Sequence, residues 1–433
     1  MERQYKNSGI EWIGRVPSDW NMQPLSIYFT ENRKPNSDLG TVNALQFKYG
    51  EIIQKPSNGK ELTDKDRELL EKYTVVIPDD IVVNGLNLNY DLKSLRIAKV
   101  RENGIITSAY IVLRPRNGAN ASYYNYYLKA LDFQKIFHGM GMGIRLTLSY
   151  NELRSMLLPV PSADEQLLIA EYLDGKCGEI DGLISLQEKM IAQLTDYKQS
   201  VITEAVTKGV NSDVQFVPSG IDWIGDVPKG WNRCAPLKWF TEIILGKMLQ
   251  SNANSPTDTL EKYICAKDVH FNGIDYSDLK SMYYSPSDKG TYQVQKGDML
   301  VVEGGAGAAG AAIVDKDIEC TYIQNSIMIV RPKRNFDIRY ARYVLFSIVS
   351  RGYVDYICNK ATIPHFTKDK LSGTLIPMPS FDDQRTIADY LDTKCGEIDK
   401  LIETKRQKIE TLKEYKKSVI YETVTGKTDL RDS

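Results

Sequence analysis

Two patterns of apolar positions alternate along this chain. From Ala163 to Thr207 and from Phe381 to Thr425 no proline interrupts, and apolar side chains recur at alternating steps of three and four residues. In the first stretch they stand at Ile180, Leu183 or Ile184, Ile191, Leu194, Tyr197 and Val201. In the second they stand at Ile398, Leu401 or Ile402, Ile409, Leu412, Tyr415 and Val419. This spacing is the seam of a coiled coil rather than the broad face of a surface helix. The acidic residues of ADEQ and FDDQ open each stretch, where a helix N-terminus favours them. The pattern predicts two helices of about 40 residues, each spanning roughly 60 Å, with the glycine of KCGEID as a point where either could break. Gln187 and Lys405 are polar at the same heptad position, either fixing register in the seam or facing solvent at its edge.

The remaining segments carry short strand-like runs. TVVIPDDIVVNG (Thr74–Gly85) and YQVQKGDMLVVEGG (Tyr292–Gly305) each predict strand, acidic turn, strand. GIITSAYIVLRPRN (Gly104–Asn117) corresponds to CTYIQNSIMIVRPKRN (Cys320–Asn335), and each leads into an aromatic-rich helix. GMGIRLTLSYNELRSMLLPVP and NKATIPHFTKDKLSGTLIPMP close the two segments. The same mixed fold is expected twice, with different surfaces.

Longer repeats frame these segments. SGIEWIGRVPSDW (Ser8–Trp20) returns as SGIDWIGDVPKGW (Ser219–Trp231), 211 residues on. PVPSADEQLLIAEYLDGKCGEIDGLI, from Pro159, returns as PMPSFDDQRTIADYLDTKCGEIDKLI, from Pro377, 218 residues on. The region between is therefore seven residues longer in the second half. Joined end to start, the termini reproduce the central linker, so the repeat is close to circular. The expectation is a multidomain α/β (α+β) protein. Two globular domains are separated by two long antiparallel coiled-coil helices, in a circular repeat with a pseudo-two-fold axis. The segments are 1–157, 158–210, 211–375 and 376–433.

Composition narrows the chemistry. A chain of 433 residues exceeds one ordinary core. It has no apolar run long enough to cross a membrane, and MERQYKNSG lacks a signal-peptide core, so a cytoplasmic protein is expected. Six cysteines without a CxxC, and three histidines, speak for reduced thiols rather than disulfides or zinc. The net charge of −1 hides a division: residues 21–157 carry +4 and 232–375 carry +3, against −7 for 158–231 and −1 for 376–433. Positive charge in the unlike segments has the sign needed for contact with phosphates.

The glycines of EGGAGAAGAA (Gly305, Gly307, Gly310) have the GxGxxG spacing, but a strand rather than a helix is expected next. A glycine hairpin is therefore expected in place of a dinucleotide site. His138, His270 and His365 have no repeat equivalents, and neither GxSxG nor HExxH occurs. The Asn/Asp-Pro-Pro-aromatic tetrapeptide of adenine methyltransferases is also absent. No catalytic centre, metal or cofactor is expected. The candidate base readers are Asn84, Asn87 and Arg96 in NGLNLNYDLKSLR, with Arg145, Lys360 and His365 in the late loops, because amide and guanidinium groups pair with base edges. Arg114, Arg116, Arg331, Lys333 and Arg334 are candidate phosphate contacts.

Taken together, W-I-G-x-V-P-x-x-W at Trp12–Trp20 and Trp223–Trp231, P-x-P-x(3–4)-[DE]-Q at Pro159–Gln166 and Pro377–Gln384, I-A-x-Y-L-D-x-K-C-G-E-I-D, and S-V-I-x-E-x-V-T at Ser200–Thr207 and Ser418–Thr425 resemble the specificity subunit of type I restriction-modification systems. The resemblance covers nearly the full length. It implies two target recognition domains that bind a bipartite, asymmetric double-stranded DNA sequence, and two conserved helical spacers. It also implies two docked methyltransferase subunits, which use S-adenosylmethionine, and restriction subunits, which use ATP and magnesium, while this chain holds no cofactor. A spacer of roughly 60 Å limits the gap between half-sites to about 18 base pairs. The rival readings are a coiled-coil scaffold presenting two protein-binding domains, and an enzyme built on the glycine loop. The scaffold would show no salt-dependent DNA affinity. The enzyme would bind a nucleotide and lose it on Gly307→Val. Exchanging the helical spacers for longer ones should lengthen the gap in the methylated DNA motif and leave both half-sites unchanged. Altered half-sites would refute this division of labour.

Overall fold

The computed structural model describes residues 3–48, 50–56, 62–89, 95–143, 146–211, 213–305, 307–358 and 365–431. The chain packs as two compact units: Met1–Gln187 with Arg406–Ser433, and Glu188–Lys405. Both boundaries fall inside the long helices, whereas the sequence division put them at the helix ends. The reason is packing, because each helix end is built into the nearest core.

In the first unit we label β1 (Phe29–Glu31), β2 (Ile81–Val83), β3 (Ile97–Lys99), β4 (Ile111–Pro115), α1 (Ala121–Phe133) and the start of α2 (Ala163–Lys208). The strands form an antiparallel sheet in the order β1-β4-β2-β3. Asn120 caps α1 through its Oδ1, which accepts from the Tyr123 N–H at 3.0 Å. Tyr123, Tyr124, Tyr127, Leu128 and Leu131 of α1 join a core that also contains Trp20, Ile169, Leu173, Ile420 and Val424. In the second unit the elements are β5 (Thr241–Leu245), β6 (Met299–Val302), β7 (Ala311–Ile313), β8 (Ile327–Pro332), α3 (Ile338–Ser350) and α4 (Phe381–Val424). The sheet order is β5-β8-β6-β7, again antiparallel throughout.

The helices run unbroken through the glycines of KCGEID, α2 for 46 residues and α4 for 44. Within the first unit Asp181 pairs with Lys416 at 2.6 Å, while the Ile169–Cys177 stretch shares its core with Val419–Val424. Within the second, Lys198 pairs with Asp399 at 2.7 Å, while Ile202–Val206 shares its core with Ile387–Cys395. In each unit one helix rises in sequence as its partner falls, so the pairing is antiparallel. Ile180, Ile398, Ile402 and Ile409 are buried in the seam, and Gln187, 7% exposed, is a seam position and not a solvent-facing edge. Leu183, Leu401, Tyr197 and Tyr415 instead point to solvent.

The repeated motifs owe their form to particular bonds. Gln166 Nε2 donates to the Pro161 carbonyl at 3.1 Å, and its Oε1 accepts from the Asn120 N–H at 3.1 Å. Gln384 does the same with the Pro379 carbonyl and the Asp337 N–H, at 3.1 and 3.0 Å. One glutamine thus ties the start of each long helix to the start of each aromatic helix. The circular repeat has a counterpart at the chain ends. Tyr5–Asn7 pairs with Arg15–Pro17 as Phe216–Pro218 pairs with Asp226–Pro228. Side chains tie the first of these pairs to the end of α4 and to the start of α2. Tyr5 Oη donates to the Gly426 carbonyl at 3.1 Å, and Arg3 contacts Glu165 at 2.5 Å and Asp429 at 3.6 Å.

A forked ion pair recurs beneath each sheet. Arg114 Nε and Nη2 donate to the two oxygens of buried Asp80 at 2.8 and 2.7 Å, and Arg331 does the same to buried Asp298 at 2.8 and 2.7 Å. Each carboxylate also accepts a turn N–H, from Ile77 at 3.1 Å and Gln295 at 2.8 Å. Removing one partner would strand a charge. We expect Asp80→Ala and Asp298→Ala each to lower the unfolding free energy by about 2–4 kcal/mol and to add when combined. Urea unfolding measures this, and losses near zero would show that the forks are dispensable.

Candidate nucleic-acid interface

In both units one end of the four-stranded sheet gathers the loops that differ. In the first unit this is the end where β2 stops and β4 starts. The chain leaves β2 through Asn84, Gly85, Leu86, Asn87 and Leu88. Arg96 holds this loop from below: Nη1 donates to the carbonyls of Leu86 at 2.8 Å and Asn84 at 3.1 Å, and Nη2 to that of Asn87 at 3.5 Å. The Arg96 N–H donates to Asp132 Oδ2 at 2.6 Å. Asn84 Oδ1 accepts from the Leu86 N–H at 3.2 Å, and Asn87 is exposed with a left-handed φ of 51°. The late loop crosses here, with the Leu148 N–H donating to the Gly85 carbonyl at 2.9 Å. A Cβ on Gly85 would lie 2.4 Å from the Leu148 carbonyl oxygen, so this crossing requires glycine.

The second unit builds the corresponding end from other residues. The glycine loop leaves β6 at Glu303 and enters β7 at Ala311, so it is a hairpin, without the helix N-terminus that a pyrophosphate needs. Gly304 bridges to His365, and the Phe366 N–H donates to the Glu303 carbonyl at 2.6 Å. His365 is exposed and its own carbonyl accepts from Lys370 Nζ at 2.8 Å. The turn before β8, Gln324–Ser326, and the chain leaving β5, Gly246–Met248, complete this end. The Asn325 N–H donates to the Lys247 carbonyl at 2.8 Å, and the Glu303 N–H donates to that of Ser326 at 2.8 Å. Met248 is 76% exposed.

The structure therefore brings Asn84, Asn87 and Arg96 into one loop, and sets His365 beside the glycine hairpin. Arg145 and Lys360 lie outside the described residues. Arg96 does not stand as an open reader: at 1% exposure its guanidinium serves the loop backbone. Arg114 and Arg331 are corrected likewise, since their forks are filled by Asp80 and Asp298. The same hydrogen bonds raise both guanidinium pKa values, which keeps them charged and paired. Arg116 donates to the Ser26 and Ile27 carbonyls, and Lys333 to those of Lys238 and Trp239. All four, with exposed Arg334, lie toward the far ends of β4 and β8, away from the loop end. Sequence reading missed the Gln324–Ser326 turn. Its signal was QNS standing where the first half has TSA, unlike side chains between like strands.

Comparison with known proteins follows the same lines. Residues 240–414 match the family model of the type I restriction modification DNA specificity domain. The chain is 22% identical to a Methanocaldococcus jannaschii protein named as the MjaX type I restriction enzyme specificity subunit, over 96% of this chain and 95% of that one. It is 23% identical to the MjaVIII specificity subunit of the same organism, again over 96% and 95%. Its fold matches the HsdS subunit from Thermoanaerobacter tengcongensis with a TM-score of 0.52 at 17% identity, over 95% of this chain and 98% of that one. It matches a chain from structural work on assembly and conformational transition of the type I R-M system with a TM-score of 0.70 at 16% identity, over 95% and 99%. With its repeated motifs and its two like-built sheets, the chain is thus similar over nearly its full length to specificity subunits of type I restriction enzymes, and residues 240–414 match their DNA specificity domain.

Proposed function

We propose that the two units are two target recognition domains, each reading one half of a bipartite, asymmetric double-stranded DNA sequence with its loop end. One observation carries this reading. The framework bonds recur partner for partner in the two units: Asp80–Arg114 with Asp298–Arg331, Gln166 with Gln384, Tyr123 with Tyr340. The loops at the end of the sheet carry different side chains, even in the turns before β4 and β8, where the main-chain bonding is alike. A protein that must be built alike twice but read two different sequences needs this distribution of sameness and difference. The positive excess of residues 21–157 and 232–375 supports it electrostatically.

The paired helices supply the second half of the proposal, the docking of two like methyltransferase subunits and, through them, restriction subunits. Among the apolar side chains that each unit's helix pair presents to solvent are a leucine and a tyrosine at equivalent places, Leu183 with Tyr415 and Leu401 with Tyr197. Leu183 is the repeat equivalent of Leu401, and Tyr197 of Tyr415, so the two faces offer one partner type the same anchors. The chain itself is a DNA-recognition subunit without catalysis. S-adenosylmethionine would belong to the methyltransferase, ATP and magnesium to the restriction subunit, and the complex would act on DNA in the cytoplasm. No helix among the described residues is long and apolar enough to cross a membrane.

Co-expression with a type I methyltransferase subunit from the same genome, followed by mapping of methylated adenines, tests the reading. One bipartite motif should appear, and vanish without this chain. No chain-dependent methylation from a purified, stable complex, together with no salt-dependent DNA affinity, would leave the scaffold reading in place. Replacing Leu183 by Glu and Tyr415 by Ala should remove one of two bound methyltransferase subunits, read as mass by light scattering. A complex of unchanged mass would contradict the docking assignment.

A further inference from the structure

We propose that Asn325 is a base-reading residue of the second unit, held in position by Gln324, and that it donates to an acceptor on the major-groove edge of its half-site. The inference rests on the recognition reading above and names a residue for it. Its starting point is a turn built twice on the same main chain. Before β4, the Tyr110 N–H donates to the Thr107 carbonyl at 3.3 Å and the Ala109 N–H to Thr107 Oγ1 at 3.4 Å. Before β8, the Ile327 N–H donates to the Gln324 carbonyl at 2.9 Å and the Ser326 N–H to Gln324 Oε1 at 3.2 Å. The first turn carries Thr107, Ser108 and Ala109, the second Gln324, Asn325 and Ser326. Backbone and bonding are shared, and only the side-chain tips differ.

The second turn is also locked. Gln324 Oε1 accepts from Ser326 Oγ at 2.5 Å, and Gln324 Nε2 donates to Asn325 Oδ1. Ser326 Oγ accepts from the Ala266 N–H at 3.1 Å, and the Asn325 N–H is fixed on the Lys247 carbonyl. Gly246 permits this close approach, because a Cβ there would lie 2.3 Å from the Gln324 carbonyl oxygen. With Oδ1 engaged, Asn325 has its Nδ2 donors left, and no described residue accepts from them. A half-buried amide with a fixed acceptor and spare donors selects for purine N7, guanine O6 or thymine O4.

The surroundings suit a base edge. At Gly305 and Gly307 no atom lies within 4 Å of where a Cβ would stand, so bare backbone faces open space and a nucleic-acid surface can approach closely. Exposed Met248 and Leu249 offer apolar contact of the kind a thymine methyl takes. Gln324 is thus a positioning residue and Asn325 the reader.

The test uses the full chain in complex with its methyltransferase, with methylated adenines mapped for each variant. Asn325→Ala should relax one base position in one half-site, on the order of tenfold in preference, and leave the other half-site as it was. Asn325→Asp keeps the shape and the bond from Gln324 but replaces donors by acceptors, so it should stop methylation at the original base. Gln324→Ala should relax the same position less. Ser108→Ala, in the equivalent turn of the first unit, should touch only the other half-site. Unfolding midpoints equal to wild type would show that the frame stands in each variant. An unchanged motif with both Asn325 variants, or changes in both half-sites, would overturn the proposal. A wild-type complex that directs no motif at all would instead overturn the recognition reading.

Discussion

A buried phenol in each unit holds three elements together, and the rest of the architecture depends on it. Tyr123 Oη lies 3.1 Å from the Val424 carbonyl and 3.5 Å from that of Pro159. Tyr340 Oη lies 3.2 Å from the Val206 carbonyl and 3.0 Å from that of Pro377. The aromatic helix of each sheet domain is thereby fastened to the strand that opens one long helix and to the end of the other. A phenol taken out of water must keep a partner, and burial pushes the pKa of both well above that of a free tyrosine. The hydroxyl therefore stays protonated and stays a donor. Each compact unit for this reason contains half of each long helix, and neither helix pair nor sheet domain is a separable piece.

Such a frame makes variation elsewhere inexpensive. Sheet order, the forked ion pair, the glutamine tie and the phenol are the same in both units. At the loop end of the sheet a few side chains, Leu88 and Leu148 in the first unit and Ala309 and Phe366 in the second, anchor the loops in the core, while exposed ones such as Asn87, Met248 and His365 are free to differ. Stability is concentrated in the frame and identity in the loops. In the first unit a buried arginine, Arg96, shapes a side-chain-rich loop, and in the second the glycine hairpin leaves backbone bare. These are two physical solutions to presenting different chemistry at one place.

Much of the frame was legible in the sequence because its causes are local or periodic. The helices follow from the three-four spacing, and the antiparallel pairing from matching faces. Glycine spacing without a following helix was enough to set aside a nucleotide site. The candidate cations fared worse for a reason sequence cannot display: a solvated arginine and a forked, buried one have the same letter. Arg114 and Arg331 stand 34 and 33 residues from their carboxylates, a separation with no local signal. Asn325 has no local signal either, since it sits in a short turn between two strands, although its repeat counterpart, Ser108, marks the position as one where the halves diverge.

The most direct measurement is amide hydrogen exchange on the complex with its methyltransferase, with and without a duplex carrying the methylated motif. If the loop ends of the sheets do the reading, DNA should slow exchange at residues 84–88 and 107–110 of the first unit and at 303–305, 307–310 and 324–326 of the second. The framework segments around Gln166, Gln384 and the forked ion pairs should exchange as they do without DNA. Slowing confined to the long helices, with these loops unaffected, would contradict the assignment of reading to the loops and of construction to the frame.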